Sequence, residues 1–162
     1  MDLYPAITDI KSKVTDGAAY FFTDAVGALS NWSAHGVTIW GQYFQTVEHA
    51  YHYCKFQDAS SVTAEQIKQA ASPYIAMKIA QKNKSYRRPD WENIKVATMR
   101  EITRAKYRQH DDARQILLDT GDRLLVENSP WDYFWGCGAD GSGQNIMGKI
   151  LMEVRQELRS FE

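Results

Sequence analysis

Apolar and aromatic side chains recur on nearly every side of the stretch Gln45 to Phe56, so no clean solvated face can be drawn on it. At roughly 100° per residue, Val47, Ala50, Tyr51 and Cys54 form one helical stripe, and Glu48, His52 and Lys55 form another. Thr46 stands where an N-cap belongs, its hydroxyl able to accept from an otherwise unpaired backbone N–H. Only Gln57 and Asp58, at the end, have solvated character. A helix that is apolar on most sides is buried. Glu48 and Lys55 are therefore predicted to be ionisable groups inside the protein, where such groups pair, shift their pKa or line a cleft. The bland alternative is a solvated Glu48–His52 pair at i, i+4.

Around this helix the pattern changes twice. Upstream, Ala18 to Phe22 reads as a strand and Asp24 to Gly27 as the turn that ends it. Val37 to Trp40 and Gln42 to Phe44 flank Gly41 as a hairpin. Met1 to Lys13 has little periodicity and is left open between a short helix and an extension. Downstream, the chain is mostly helical. Thr63-Ala64-Glu65-Gln66 is a capping-box pattern for a helix reaching about Ala71. Ser72-Pro73 opens another to about Lys82, and a basic loop with Lys84, Arg87 and Arg88 follows. Pro89-Asp90 starts a long helix whose Trp91, Ile94, Thr98, Ile102 and Ala105 face a core. Asp111 to Thr120 is a further helix, closed by Gly121 in the C′ position. Leu124 to Val126 is a short apolar segment, and Asn128 to Gly143 has no period. Gln144 to Phe161 is a last helix with Ile146, Ile150, Val154, Leu158 and Phe161 on one stripe. These elements predict a mainly α fold: a single multihelical domain over residues 1–162 with a small antiparallel β-sheet near the N-terminus.

Composition narrows the class without naming it. With 162 residues the chain is long enough to bury a core. The 19 Lys and Arg balance 20 Asp and Glu, which argues against tight, sequence-independent binding to DNA. The two cysteines, Cys54 and Cys137, lack zinc spacing and make no disulfide framework, which fits a reducing cytosol. No apolar run approaches a membrane span and no signal peptide is visible, so the expectation is a cytoplasmic protein without a membrane span.

Chemistry concentrates in two stretches. The first is the helix with Glu48 and Lys55. The second is Ser129 to Lys149, in which five glycines precede or enter the last helix. A glycine-rich loop at a helix N-terminus offers backbone N–H groups to an anion such as phosphate. It is neither a Walker loop nor a dinucleotide fingerprint. The alternative is a tight connector in which glycine permits close backbone approach. Asp132, between two tryptophans, is either a turn former or an ionisable group in an aromatic pocket. Glu48 with Asp132 would supply the paired carboxylates of glycosidic chemistry. Lys55 adds an amine that burial could deprotonate for nucleophilic attack.

Taken in order, these residues resemble the NADAR (YbiA-like) family. The resemblance runs through Leu29-Ser30-Asn31-Trp32, Thr46 to Tyr51 with Lys55-Phe56, Arg88-Pro89-Asp90-Trp91, Met99, and Thr120-Gly121-Asp122 with Leu125-Val126-Glu127. It closes on Asp132, Trp135-Gly136, Gly138, Gly143, Asn145, Gly148-Lys149 and Leu151 to Arg155. Trp32 stands where the family usually has phenylalanine. The resemblance implies a mainly helical N-glycosidase without cofactor or metal. It would act on early phosphoribosyl intermediates of riboflavin synthesis, or on ADP-ribose attached to guanine in nucleosides or DNA. Both substrates join ribose C1 to nitrogen and carry phosphate. On this reading Glu48, Lys55 and Asp132 are catalytic. The amides of Gly136, Gly138 and Gly143, with Arg88 and Lys149, hold phosphate. Trp91, Trp135 or Trp32 stacks on the base, and Ser30 and Asn31 bond ribose hydroxyls. Asn145 caps the last helix or contacts ribose or phosphate. The competing readings are a non-catalytic ADP-ribose or nucleotide reader, which would not need Glu48, Lys55 and Asp132 together, and a helical domain without a ligand.

Overall fold

A computed structural model describes residues 13–22 and 27–160. The expectations for residues 1–12, for most of the Asp24–Gly27 turn and for Phe161 fall outside them. Along the chain the elements are β1 (Lys13–Val14), β2 (Ala18–Phe21), β3 (Val37–Ile39), β4 (Gln42–Phe44), α1 (Val47–Cys54), α2 (Ser61–Lys68), α3 (Pro73–Lys82), α4 (Trp91–Gln109), α5 (Asp111–Asp119), β5 (Leu124–Glu127) and α6 (Ile146–Arg159). The fold is mainly helical with small sheets, as expected. The described residues fall into two compact units, one of residues 34–110 and one of the segments up to 33 and from 111 onward.

In the 34–110 unit, β3 and β4 form an antiparallel hairpin with Val37 opposite Phe44. Its turn places Trp40 and Gly41 both at positive φ, the backbone that matches strand twist in a two-residue hairpin. The hairpin delivers the chain to α1, where the Thr46 side chain accepts from the His49 N–H, as expected of the N-cap. Behind α1, Phe56, Ala64, Ile67, Ala70, Ala76 and Ala80 form one buried cluster. Alanines on the facing helices leave room for the large Phe56 ring.

Two boundaries differ from expectation. α2 is capped by Ser60, whose backbone is extended and whose hydroxyl accepts from the Thr63 N–H, so the capping box read at Thr63 starts three residues late. Along α4 the buried positions are Trp91, Met99, Ile102, Thr103, Lys106 and Tyr107, while Ile94, Thr98 and Ala105 are half-buried. The inward stripe shifts because the aliphatic stem of Lys106 is buried along with Tyr107.

In the other unit, the short apolar segment at 124–126 is a strand. β5 lies parallel to β2, with Ala19 opposite Leu125, and β1 is antiparallel on the far side. The sheet is thus mixed rather than antiparallel. α6 packs on β5 and begins at Ile146 rather than Gln144, because Asn145 is left-handed at φ 50°. Buried Arg155 donates to the Thr120 hydroxyl and the Arg123 carbonyl, fixing α6 against the α5–β5 connection.

Close approach of α6 to β5 depends on Gly148, where a Cβ would run into the Leu125 carbonyl oxygen. Gly148→Ala is expected to cost about 2–3 kcal/mol, the usual price of forcing atoms into a packed contact. Thermal unfolding should show a drop of roughly 5–10 °C for a chain of this size.

Candidate active site

Helix α1 carries its polar groups into the protein. Val47, His49, Ala50, Tyr51, His52 and Cys54 are buried, and the side chain of Glu48 is only 14% exposed. Most of the helix's polar atoms are satisfied locally, with His52 Nδ1 the exception. Thr46 and His49 lock together, with the Thr46 hydroxyl 2.8 Å from His49 Nδ1, while His49 Nε2 donates to the Ala70 carbonyl at 3.0 Å. Glu48 Oε1 accepts from His52 Nε2 at 2.8 Å. The solvated Glu48–His52 pair is thus excluded: the pair exists, but it is buried.

Charge balance follows from this packing. Burial pushes the Glu48 carboxyl up, but His52, Lys55 and His49 outweigh it and hold the group below the usual carboxylate range. Burial lowers His52 despite the pull of Glu48, so the imidazole is neutral at pH 7. Lys55 makes no ion pair among the described residues. Its Nζ lies 4.6 Å from the Tyr51 ring centre and 5.5 Å from that of Trp91, and those rings meet edge to face at 5.0 Å. Burial brings its amine down to about 8, Glu48 opposing and Arg87 and Lys95 assisting.

Trp91, read as a base stacker, is fully buried and instead walls the Lys55 amine. Arg88, read as a phosphate ligand, grips carboxylates: Nε and Nη2 donate to the two oxygens of Asp90 and Nη1 to Asp58. Its backbone N–H donates to the Lys55 carbonyl at 2.9 Å. Arg88 thus fastens the end of α1 to the start of α4 and sets where Lys55 and Trp91 meet.

The glycine-rich loop of the other unit is closed on itself. The N–H groups of Cys137, Gly138, Gly143, Gln144 and Asn145 donate to the carbonyls of Glu127, Ser129 and Asp132, Cys137, Tyr133 and Gly136 respectively. Those of Ile146 and Met147, at the start of α6, donate to Phe134 and Trp135. The helix N-terminus expected to hold an anion has these donors occupied. A Cβ at Gly136 or Gly143 would collide with neighbouring backbone, so these glycines serve close approach. Asp132 has the turn-forming role, its Oδ1 accepting from the N–H groups of Phe134 and Trp135 at 2.9 and 2.7 Å. Asn145 does not cap α6. Its amide accepts from the Glu127 N–H and donates to the Leu125 carbonyl.

In the same unit Ser30 is buried, and its hydroxyl accepts from the Trp32 N–H at 3.1 Å. Asn31 donates to Met147 Sδ at 3.4 Å. Trp32 and Trp135 are half-buried, Gly138 is buried and Lys149 is exposed. The residue that sequence reasoning left out is His52. Its position on the stripe of Glu48 and Lys55 was the available signal. Among the described residues, no group of three or more His, Cys, Asp or Glu is placed to hold a metal. No helix among them is long and apolar enough to cross a membrane.

Comparison with known proteins supplies the context. A family model described as the NADAR domain matches residues 20–159. An N-glycosidase of Nostoc punctiforme is 45% identical over 138 residues, 83% of this chain and 87% of its own length. A riboflavin biosynthesis protein of Vibrio vulnificus is 35% identical over 158 residues, 96% of this chain and 42% of that longer protein. The NMR structure of YbiA from E. coli matches with a TM-score of 0.78 at 32% identity, covering 96% of this chain and 92% of YbiA.

The setting of Lys55 has a direct signature. Reductive 13C-methylation followed by NMR titration should show a lysine resonance titrating near 8. Lys55→Arg should remove that resonance.

Proposed function

Because the chain belongs to the NADAR domain family, we propose that it is an N-glycosidase hydrolysing the bond between ribose C1 and nitrogen in a phosphorylated ribosyl substrate. Relatives named N-glycosidase and riboflavin biosynthesis protein support this reaction class. The substrates proposed are ADP-ribose linked to guanine, on a nucleoside or DNA, and early intermediates of riboflavin synthesis. Both present the same reacting atoms.

One observation carries the reading: Lys55, whose amine burial brings down to about 8, shares a helix face turned into the protein with an ionised carboxylate, Glu48. A structural ion pair would join them with the lysine fully charged. Here the carboxylate is held by a neutral imidazole, and the amine faces two aromatic rings.

Two routes use this pair. In direct hydrolysis Glu48 takes a proton from water as the water oxygen bonds C1 and the base leaves. In the covalent route the Lys55 nitrogen bonds C1 as the bond to the base breaks, and the base leaves with the bonding electron pair and takes a proton from water. The lysine proton passes to Glu48, which returns it to the ring oxygen as the sugar opens to a Schiff base. Water then adds at C1, releasing the sugar and restoring the amine. The covalent route requires unprotonated Lys55, so its rate rises with pH up to about 8 and levels above it. Glu48 must be ionised in both routes.

Incubation with ADP-ribosylated guanosine or DNA, and separately with the riboflavin intermediates, should release free base and sugar, read by mass spectrometry. Glu48→Gln is expected to lower turnover by about 10²–10⁴-fold. Borohydride added during turnover should leave a ribose-containing adduct on Lys55. No adduct, with Lys55→Ala active, would assign the reaction to direct water attack. Absence of base release from every substrate would overturn the proposal.

A further inference from the structure

We propose that His52 is a positioning residue of this site: as a neutral Nε2–H donor it fixes Oε1 of Glu48 and leaves Oε2 as the oxygen that exchanges protons with the reactants. The inference rests on the reading of Glu48 given above.

The two histidines of α1 make the case by contrast. His49 has both ring nitrogens engaged, Nδ1 with the Thr46 hydroxyl and Nε2 with the Ala70 carbonyl, and so ties α1 to the turn before α3. His52 engages one. Its Nε2 lies 2.8 Å from Glu48 Oε1 while its Nδ1 is buried with no hydrogen-bond partner. The side chain is 7% exposed. A carboxylate can only accept, so the proton sits on Nε2 and the buried atom is the lone pair on Nδ1. Leaving a buried polar atom unmatched costs stability, and such exceptions call for an explanation. A histidine kept for stability alone would resemble His49.

The arrangement also keeps the imidazole neutral. Protonation would place an N–H at Nδ1 with no acceptor, and burial already lowers this group. Glu48 is thus oriented by a hydrogen bond without being neutralised by a full cation, and its second oxygen stays basic. The Tyr51 ring, 5.4 Å from the imidazole and edge-on, holds the ring plane. The titratable groups that act on Glu48 among the described residues are His52 and His49 on α1 and Lys55 at its C-terminal end. Arg87, Glu92 and Lys95 act on Lys55.

The first test needs no substrate. In 15N-histidine-labelled protein at pH 7, His52 should show a protonated Nε2 and an unprotonated Nδ1. The opposite tautomer, or an imidazolium, overturns the proposal. In the same samples, 13C carboxyl titration should show Glu48 titrating higher in His52→Leu than in wild type, because the imidazole no longer helps Lys55 and His49 to oppose burial. No change overturns the proposal.

The second test is kinetic, with ADP-ribosylated guanosine. His52→Leu should lower kcat by up to about 10²-fold, the cost of a misplaced catalytic group. KM should stay within about twofold, and the acidic limb of the pH profile should move up. His52→Gln, whose amide nitrogen reaches the place of Nε2, should recover most of the rate. Equal loss in Leu and Gln variants with equal melting temperatures would mean the ring only fills space, and the proposal fails. If His52→Leu does not fold, His52→Asn, polar but too short to reach Glu48, replaces it. Glu48→Gln run alongside separates the two ideas. An active Glu48→Gln overturns the proposed function. An inactive one beside an unimpaired His52→Leu overturns only the role of His52.

Discussion

A carboxylate on a largely buried helix is mostly withdrawn from water, so the surrounding structure must supply much of what water would. In the 34–110 unit that constraint organises the chain from the hairpin to α4. The neutral His52 ring satisfies one oxygen of Glu48. The Thr46–His49–Ala70 chain of hydrogen bonds holds α1 at a fixed pitch against the turn before α3. At the other end the Arg88 fork, joined to Asp58 and Asp90, sets the entry of α4. Trp91 then arrives beside Lys55, and aromatic faces stand where solvent would keep the amine charged. Removing water from both groups makes each more sensitive to the other, which is the condition for tuned acid–base chemistry.

Much of this was legible from residue order. Helical spacing put Glu48, His52 and Lys55 on one stripe, and the lack of a solvated face on the same segment implied burial. Thr46 and Ser72 were readable as caps because each needs only its own hydroxyl and the next turn. What failed were choices among near-equivalent local options. Ser60 and Thr63 can each cap a helix, and the extended backbone of Ser60, after a run of turns, decided between them. The α4 stripe was misplaced because Lys106 counts as polar in a pattern, while its stem packs as an apolar chain.

The glycine-rich loop shows a different limit. Glycines before a helix are equally suited to cradling an anion and to letting backbone approach backbone, and composition does not distinguish them. The distinction lies in where the amide groups point. Cys137, Gly138 and residues 143–147 direct theirs at carbonyls of residues 127–137, so the segment is an internally bonded wrap. Asp132 belongs to that wrap through its two backbone bonds. Arg88 poses a related ambiguity. A basic residue beside a basic loop suggests phosphate, and here Asp58 and Asp90 take one N–H from each nitrogen of its guanidinium.

Asn145 does something for the sheet that no backbone element does. The N–H of Glu127 and the carbonyl of Leu125 point away from β2, the hydrogen-bonding pattern a further parallel strand would fill. The amide of Asn145 fills both, and the Cys137 N–H takes the Glu127 carbonyl beside them. One side chain thus stands in for a residue of a missing strand. An open edge of this kind is a template for pairing with another molecule and for aggregation. Here it is closed from within by a left-handed asparagine at the start of α6, the helix that packs on β5, and the three-stranded sheet ends there.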